Sequence, residues 1–346
     1  MKPKVFVCQP IAEAVLEVLR EAAEVGVYPY LDRQITQDEL AANAARNDWL
    51  FLASDNIIPA ALIETSPNLR GIGTVSRFGH YIDLKAATAR KLPIVSADPD
   101  YASAPDLGPA ARGGVSLATA DLTVAMLLGL AYRLVEADRY TRAGHFKQEQ
   151  TLALMGIGCP GKTVGVIGMG KVARYMIPRL RALDMTVIYT KRNRLAQEEE
   201  RALGLRWSQS LDALLAESDF VCVACDYNPE THKLVGAREL GLMKKTAFLI
   251  NTARGRIVDE SALIRALQEK AIAGAALDVF WNEPPVVYDP FVPEALRKLD
   301  NVILAPHNGG AVWEVRVSRA ISVARGMIAT MQGRRAPGLL NPEIYE

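Results

Sequence analysis

The chain alternates short apolar runs with longer stretches in which apolar residues recur every three or four positions. Over the first hundred residues "KVFVC", "VGVYP", "WLFLA", "LRGIGTV" and "LPIVSA" read as strands. Between them "AEAVLEVLREAA", "TQDELAANAARN", "AALIETS" and "DLKAATARK" read as helices or helical turns. Such alternation predicts a parallel sheet covered by helices on both faces. The pattern lapses over residues 98–116, "DPDYASAPDLGPAARGGVS", whose Pro, Gly and Ala content predicts a loop or linker. A long helix is expected from about Thr119 to Arg142, ended by Gly144. Its middle, "LTVAMLLGLAYRLVEA", is apolar on most faces and calls for burial or a partner subunit.

A second alternating series starts at Lys162, with strands expected at "KTVGVIG", "MTVIYT", "DFVCVAC", "TAFLINT", "IAGAALDV" and "NVILAPH". Six strands are what a complete dinucleotide-binding sheet needs. After Gly310 the chain reads as one long helix through about Met331, then an extended end. The expected fold class is α/β, with two Rossmann-like, doubly wound parallel-sheet domains. Residues 119–308 would form a cofactor domain inserted in a domain made of residues 1–118 and 309–346.

The length of 346 residues suits about two domains. Half the chain is apolar and 23% is charged, an ordinary globular balance. A net charge of +1 argues against nucleic acid or a membrane surface as the main partner. The longest nearly apolar run, Leu122 to Tyr132, reads as too short to span a bilayer, and "MKPKVFVCQP" is no signal peptide. Four cysteines are too few for a disulfide framework. Cys222 and Cys225 form a C-x-x-C inside an apparent buried strand, whereas a redox pair belongs at a helix start. A reducing, cytoplasmic setting is the default.

Gly168, Gly170 and Ala173 give G-x-G-x-x-A directly after the strand "TVGVI". The first glycine permits a tight turn, the second lets backbone approach a diphosphate, and the third position packs helix on strand. The turn Gly168, Met169, Gly170, Lys171 and Val172 is therefore a candidate dinucleotide site, with the helix amides facing the phosphates. Pro178 falls inside that helix and is expected to kink it. In such folds the next strand usually ends in a carboxylate that accepts from the 2′-hydroxyl of NAD. Here it ends in Thr190, Lys191 and Arg192, with Arg194 close behind. Positive charge there suits the 2′-phosphate of NADP(H), with NAD(H) an acceptable second; the alternative is a solvated basic turn.

Arg254 lies in "INTARGRIVDE", Glu283 in "ALDVFWNEPP" and His307 in "ILAPHNGG", each just past an expected strand. Ligands of open parallel sheets bind at those strand ends. Reduction of a 2-keto acid needs a cation to grip the carboxylate and polarise the carbonyl, which suits Arg. It also needs an acid for the new alkoxide, and a His beside a carboxylate fits. The alternatives are a structural His and an Arg that caps its turn.

These stretches carry a resemblance. "VGVIGMGKVA", "SDFVCVACDYNPETHKLV", "MKKTAFLINTARGRIVDESAL", "GAALDVFWNEP" and "LAPHNGG" stand in the order of the D-isomer-specific 2-hydroxyacid dehydrogenase family. Within it the chain looks most like the glyoxylate/hydroxypyruvate reductases, and "IYTKRNR" is similar to the form in NADPH-using members. The resemblance implies that Arg254 binds the substrate carboxylate and carbonyl, and that His307, paired with Glu283, is the general acid/base. It puts Thr123, Thr252, Ala253 and Asp278 near the nicotinamide end and Ala224, Cys225 and Pro229 along the adenosine, with Gly309 a further cofactor-binding candidate. It makes "TADLT", residues 119–123, an interdomain hinge with Asp121 where Glu is more usual. It makes the long helix a homodimer element and the domain built from both ends the substrate-binding, catalytic one.

The chain departs from that family at "TVSRFGHYID", where a glycine-rich turn usually holds the substrate carboxylate. Arg77, Phe78 and Gly79 are the candidates there, Arg77 being a second cation for a larger acid or a plain surface residue. His145 and His232 read as surface residues with no metal pattern, and no metal is expected. Trp313 either closes the pocket or packs the last helix. Phosphite and formate dehydrogenases resemble the family too, as do cofactor-sensing corepressors, and these stand as the alternative functions.

Overall fold

The computed structural model describes residues 2–54, 56–76, 79, 81–98, 100–101, 111–148, 152–283 and 292–346. Two compact units emerge, one from Met1–Gly113 with Trp313–Glu346, the other from Gly114–Val312.

The first unit holds strands β1 (Lys4–Val7), β2 (Glu24–Val27), β3 (Trp49–Leu52), β4 (Gly71–Thr74) and β5 (Ile94–Val95). They form one parallel sheet in the order β2-β1-β3-β4-β5. Period-two side-chain alternation divides each strand between two cores. Phe6, Leu50 and Leu52 face a cluster completed by α2 (Gln37–Arg46), α3 (Ala60–Glu64) and α4 (Leu84–Ala89). Val5, Val7, Trp49 and Phe51 face the opposite cluster, formed with α1 (Glu13–Ala22) and the last helix, α13 (Trp313–Met331). The extended end pairs back on β5 through Val95 and Leu339. Buried Asn341 seals that join by accepting from the Ile94 N–H (2.9 Å) and donating to the Leu92 carbonyl (2.8 Å).

The second unit holds β6 (Thr163–Ile167), β7 (Thr186–Thr190), β8 (Leu205–Trp207), β9 (Phe220–Val223), β10 (Phe248–Asn251), β11 (Gly274–Leu277) and β12 (Val302–Leu304). This parallel sheet runs β12-β11-β10-β9-β6-β7-β8, so strand order reverses between β6 and β9. The sheet has seven strands among the described residues, not the six expected. The extra one, β8, is "LRW", three residues with an exposed Arg in the middle, too short to register as a periodic run.

The expected long helix differs in its start and its continuity. The helix expected from Thr119 begins at Gly114 and is two helices, α5 (Gly114–Ala131) and α6 (Leu134–Arg142). The break is at Arg133, which takes the left-handed conformation (φ 51°) without Gly or Pro to announce it. α5 extends the apolar run Leu122 to Tyr132 at its N-terminal side and is by length and composition apolar enough to cross a bilayer, yet 61% of it is buried. It packs on α7 (Lys171–Ala182) and β10. Helix α7 runs continuously through Pro178, which lies on its exposed side where water can serve the carbonyl that loses a donor. Helices α8 (Gln197–Leu203), α9 (Leu211–Glu217), α10 (Ala237–Leu242), α11 (Glu260–Gln268) and α12 (Glu294–Arg297) complete the covering layers.

Candidate active site

Three neighbouring strands, β10, β11 and β12, present Arg254, Glu283 and His307 just beyond their carboxyl ends. The turns of Arg254 and His307 are each held by a buried polar side chain. Asn251 closes the first. Its Nδ2 donates to the Arg254 carbonyl (3.0 Å) and its Oδ1 accepts from the Ala253 N–H (3.1 Å). A Cβ on Gly255 would lie 2.0 Å from the Phe280 carbonyl oxygen, so only glycine lets this turn lie against the loop that carries Glu283. Arg256 Nε donates to the Trp281 carbonyl in that loop (3.1 Å). The Arg254 side chain is exposed, its guanidinium touching only the Ala253 carbonyl (2.6 Å) among the described residues.

Asp278 is 1% exposed and spends both carboxylate oxygens on the next loop, accepting from Asn308 N–H (2.6 Å) and Gly309 N–H (2.8 Å). Those bonds hold His307 with φ at 55°, a left-handed conformation that a non-glycine residue adopts at a cost. Glu283 Oε1 accepts from the Phe280 N–H (2.8 Å), and its Oε2 pairs with His307 Nδ1 (2.9 Å). That bond raises the His307 pKa above the ordinary imidazole value. Desolvation and the Arg254 charge oppose it; the Glu283 and Asp278 charges reinforce it. Nδ1 is thereby engaged, and Nε2 is the nitrogen left to exchange a proton. Burial raises the Asp278 carboxyl in turn, against its two amide bonds.

The glycine turn fits a dinucleotide. Gly168 sits at φ +99°, and a Cβ there would lie 2.7 Å from the Ala224 carbonyl oxygen and the Cys225 nitrogen. Gly170 caps the N-terminus of α7, and nothing lies within 4 Å of where its Cβ would be. Ala173 is fully buried beneath it, and no acidic residue stands in the first helical turn to repel phosphate. Lys171 is exposed and Val172 half-buried, whereas Met169 turns into the core.

At the end of β7, Thr190 and Lys191 are half-buried, and the Lys191 side chain has no hydrogen bond or ion pair to the described residues. Arg192 meets Glu230 at 3.0 Å, both exposed. Arg194 differs from the expectation that it lends charge to this turn. Its Nε and Nη2 grip the two oxygens of buried Glu200, each at 2.8 Å. The Tyr189 hydroxyl donates to Glu200 Oε1 (2.6 Å) and accepts from the Leu195 N–H (3.0 Å). Together Arg194 and then Tyr189 lower the Glu200 pKa to about 2.

Ala224 and Cys225 follow β9 half-buried, and Pro229 is exposed in the next turn. Burial pushes the Cys222 and Cys225 thiols up to about 12 and about 11, which leaves them poor nucleophiles. Ala253 is half-buried beside the Arg254 turn. Thr252 is buried, and its hydroxyl lies 2.7 Å from that of Thr123, which donates to the Thr119 carbonyl. Residues 119–123 lie within α5 and not in a loop, and Asp121 pairs there with Arg179. Gly309 is buried against Thr119 and Asp278.

In the first unit, Arg77 and Phe78, with His80 and residues 102–110 of the long loop, lie outside the described residues. Gly79 is buried against Leu340 and Leu84 with φ at 58°. Trp313 opens α13 at 70% exposure, so it does not pack that helix. His145 and His232 are exposed, the latter 3.1 Å from the Tyr227 hydroxyl. Sequence reasoning missed Asn251, Gly255, Tyr189 and Glu200. Asn251 had a signal, an Asn ending a strand before a turn; Glu200, the last of three Glu residues in "QEEER", had none.

Residues 124–309 match the family described as D-isomer specific 2-hydroxyacid dehydrogenase, NAD binding domain. The chain is 37% identical to a glyoxylate reductase of Thermococcus gammatolerans, over 100% of this chain and 98% of that one. Among solved structures it is similar to a D-isomer specific 2-hydroxyacid dehydrogenase from Polaromonas sp. JS6 66. There the TM-score is 0.84 at 29% identity, covering 98% of this chain and 99% of that one. It is similar as well to an NADPH-dependent glyoxylate/hydroxypyruvate reductase of Sinorhizobium meliloti solved with NADP and malonate. That match has a TM-score of 0.68 at 28% identity and covers 96% of this chain and 94% of that one.

Proposed function

Since the chain belongs to the D-isomer-specific 2-hydroxyacid dehydrogenase family and is an NAD(P)-dependent oxidoreductase, we propose that it reduces a small 2-keto acid of the glyoxylate or hydroxypyruvate type and prefers NADPH. The observation that carries this reading is the 2.9 Å pair of His307 Nδ1 and Glu283 Oε2, within electrostatic reach of Arg254.

Arg254 offers a planar fork to the substrate carboxylate and carbonyl oxygen, drawing electron density from C2. His307 delivers its Nε2 proton to the oxygen as the alkoxide forms. Glu283 keeps the ring oriented and stabilises the imidazolium before transfer. A bound nicotinamide supplies the hydride to C2. The free amides at the N-terminus of α7 hold the diphosphate, with Gly168 and Gly170 giving it room.

NADPH preference rests on the end of β7. Thr190 stands where a carboxylate would repel a 2′-phosphate, and Lys191 brings a cation with no other partner among the described residues. Arg192 has a partner, but exposed ion pairs contribute at most about 1 kcal/mol. Hydrogen bonds to a charged phosphate contribute about 1.5–3 kcal/mol, so Arg192 exchanges Glu230 for the cofactor.

The substrate-binding role falls to the unit Met1–Gly113 with Trp313–Glu346, through the turn of Arg77, Phe78 and Gly79. A homodimer is supported by apolar residues left exposed around and after α6, namely Tyr132, Leu134, Phe146, Leu152 and Met155. The test is loss of NADPH absorbance with a panel of keto acids, phosphite and formate, repeated with NADH. Turnover of glyoxylate or hydroxypyruvate is expected. Activity with phosphite or formate alone, or with nothing, refutes the substrate assignment.

A further inference from the structure

The turn between β7 and α8 contains more machinery than a solvated basic loop requires. Glu200 is 6% exposed, and every bond to its carboxylate comes from the same short stretch of chain. Arg194 takes both oxygens, and the Tyr189 hydroxyl shares one of them. Tyr189 is fully buried, edge-on to Trp207 at 5.1 Å, and Trp207 also lies 6.0 Å below the Arg194 guanidinium. The turn is pinned at both ends. The Thr190 carbonyl accepts from the Gly168 N–H of the glycine turn (2.8 Å), and the Leu195 N–H donates to the Tyr189 hydroxyl (3.0 Å). Between the pins the cationic heads not committed to the scaffold belong to Lys191 and Arg192.

Burying a carboxylate is costly unless it is fully paired. Here the pairing fixes the shape of one segment, the segment whose cations would meet the ribose end of a dinucleotide on the NADPH reading. A rigid turn lets those cations bind without first losing the freedom of a mobile loop.

We propose that Glu200 is a positioning residue for the cofactor's 2′-phosphate, and that Arg194 is a tie in the scaffold and not a phosphate ligand. The inference rests on the NADPH reading above. Glu200, through Tyr189 and Arg194, presents Lys191 and Arg192 in the geometry that separates NADP from NAD.

Calorimetric binding of NADP+ and of NAD+ to the full chain tests it. Glu200→Gln and Arg194→Gln should each weaken NADP+ about five- to tenfold while changing NAD+ less than about twofold, and the double variant should be no worse than the weaker single, because the two residues act as one unit. Tyr189→Phe keeps the ring and the ion pair and removes only the hydroxyl; it should weaken NADP+ in the same sense, by less. It serves as the arm to read if Glu200→Gln does not fold. Unchanged or tighter NADP+ binding by Glu200→Gln overturns the proposal, because a freed Arg194 would then be a phosphate ligand. Equal losses for both cofactors also overturn it, because the role would be stability alone. The variant combining Lys191→Ala with Arg192→Ala separates the two claims. If it keeps the NADP+ to NAD+ ratio of the parent, the cofactor reading itself fails. If it lowers the ratio and Glu200→Gln does not, only the role of Glu200 fails.

Discussion

Two carboxylates in the second unit each hold a basic side chain, and the two pairs do different work. At the end of β11 the Glu283 side chain, 15% exposed, meets His307, 53% exposed. Beyond β7 the Glu200 side chain, 8% exposed, meets Arg194. Arginine keeps its charge at every pH a protein survives, so the Glu200 pair exchanges no proton near neutrality and suits the proposed role of fastener. Histidine titrates near neutrality, and its raised pKa keeps a proton available there while half the ring stays open to a ligand. The contact is the same kind in both places. Partner chemistry and exposure suit the first pair to the proposed catalysis and the second to the proposed scaffold.

The largest effect should separate the two pairs outright. His307→Gln should lower kcat by about 10²- to 10⁴-fold with cofactor affinity nearly intact, measured by steady-state kinetics beside a cofactor titration. Retained turnover would make the Glu283 pair a fastener like the other. Arg254→Lys keeps the charge but loses the planar fork. It should lower kcat/KM for the keto acid by about tenfold or more, and an unchanged value would remove Arg254 from substrate binding. Lys191→Ala combined with Arg192→Ala should cost about tenfold or more in NADPH affinity and much less in NADH.

Effects of pH are smaller and have opposite signs at the two pairs. The proposed reduction draws its proton from the His307 imidazolium, so kcat/KM should hold at low pH and fall as pH rises through a value above the ordinary 6.5. Glu283→Gln removes the main cause of that rise and should move the fall to lower pH. The Arg254 charge remains and pushes the same way; the Asp278 charge opposes. The raised folded-state pKa also makes the pair's stability contribution greatest below the unfolded value and lost above the folded one. For Glu200 the folded value is lowered to about 2 from 4.5, so its contribution is present above 4.5 and lost as pH falls toward 2. Acid titration followed by Trp207 fluorescence should report the β7 turn loosening in that window.

Much of this was legible in the residues, for a physical reason. Strands of a sheet covered on both faces must be nearly continuous apolar runs, and eleven of the twelve described strands announced themselves that way. The exception, β8, is too short to carry a period. The start of α5 was hidden by the Gly-rich run before it, and the break at Arg133 by the lack of any Gly or Pro. The positions of Arg254, Glu283 and His307 at the ends of neighbouring strands could be read because such residue types seldom follow strands together. The ties that hold them could not. Only Asn251 had a local signal, its place at a strand end; nothing marks Asp278, or Glu200 in the β7 turn, as a carboxylate that will be buried and bonded to backbone or to its own turn. Arg194 was misjudged on the same ground, since its partner is six residues away and out of view until α8 packs.

The most direct test of the central claim is the rate of NADPH oxidation with glyoxylate and hydroxypyruvate by the parent protein and by His307→Gln. Ready turnover by the parent is expected, with a loss of about 10²-fold or more in the variant and NADPH still bound. Equal rates for the two proteins, or no turnover of either acid by the parent, would contradict that claim.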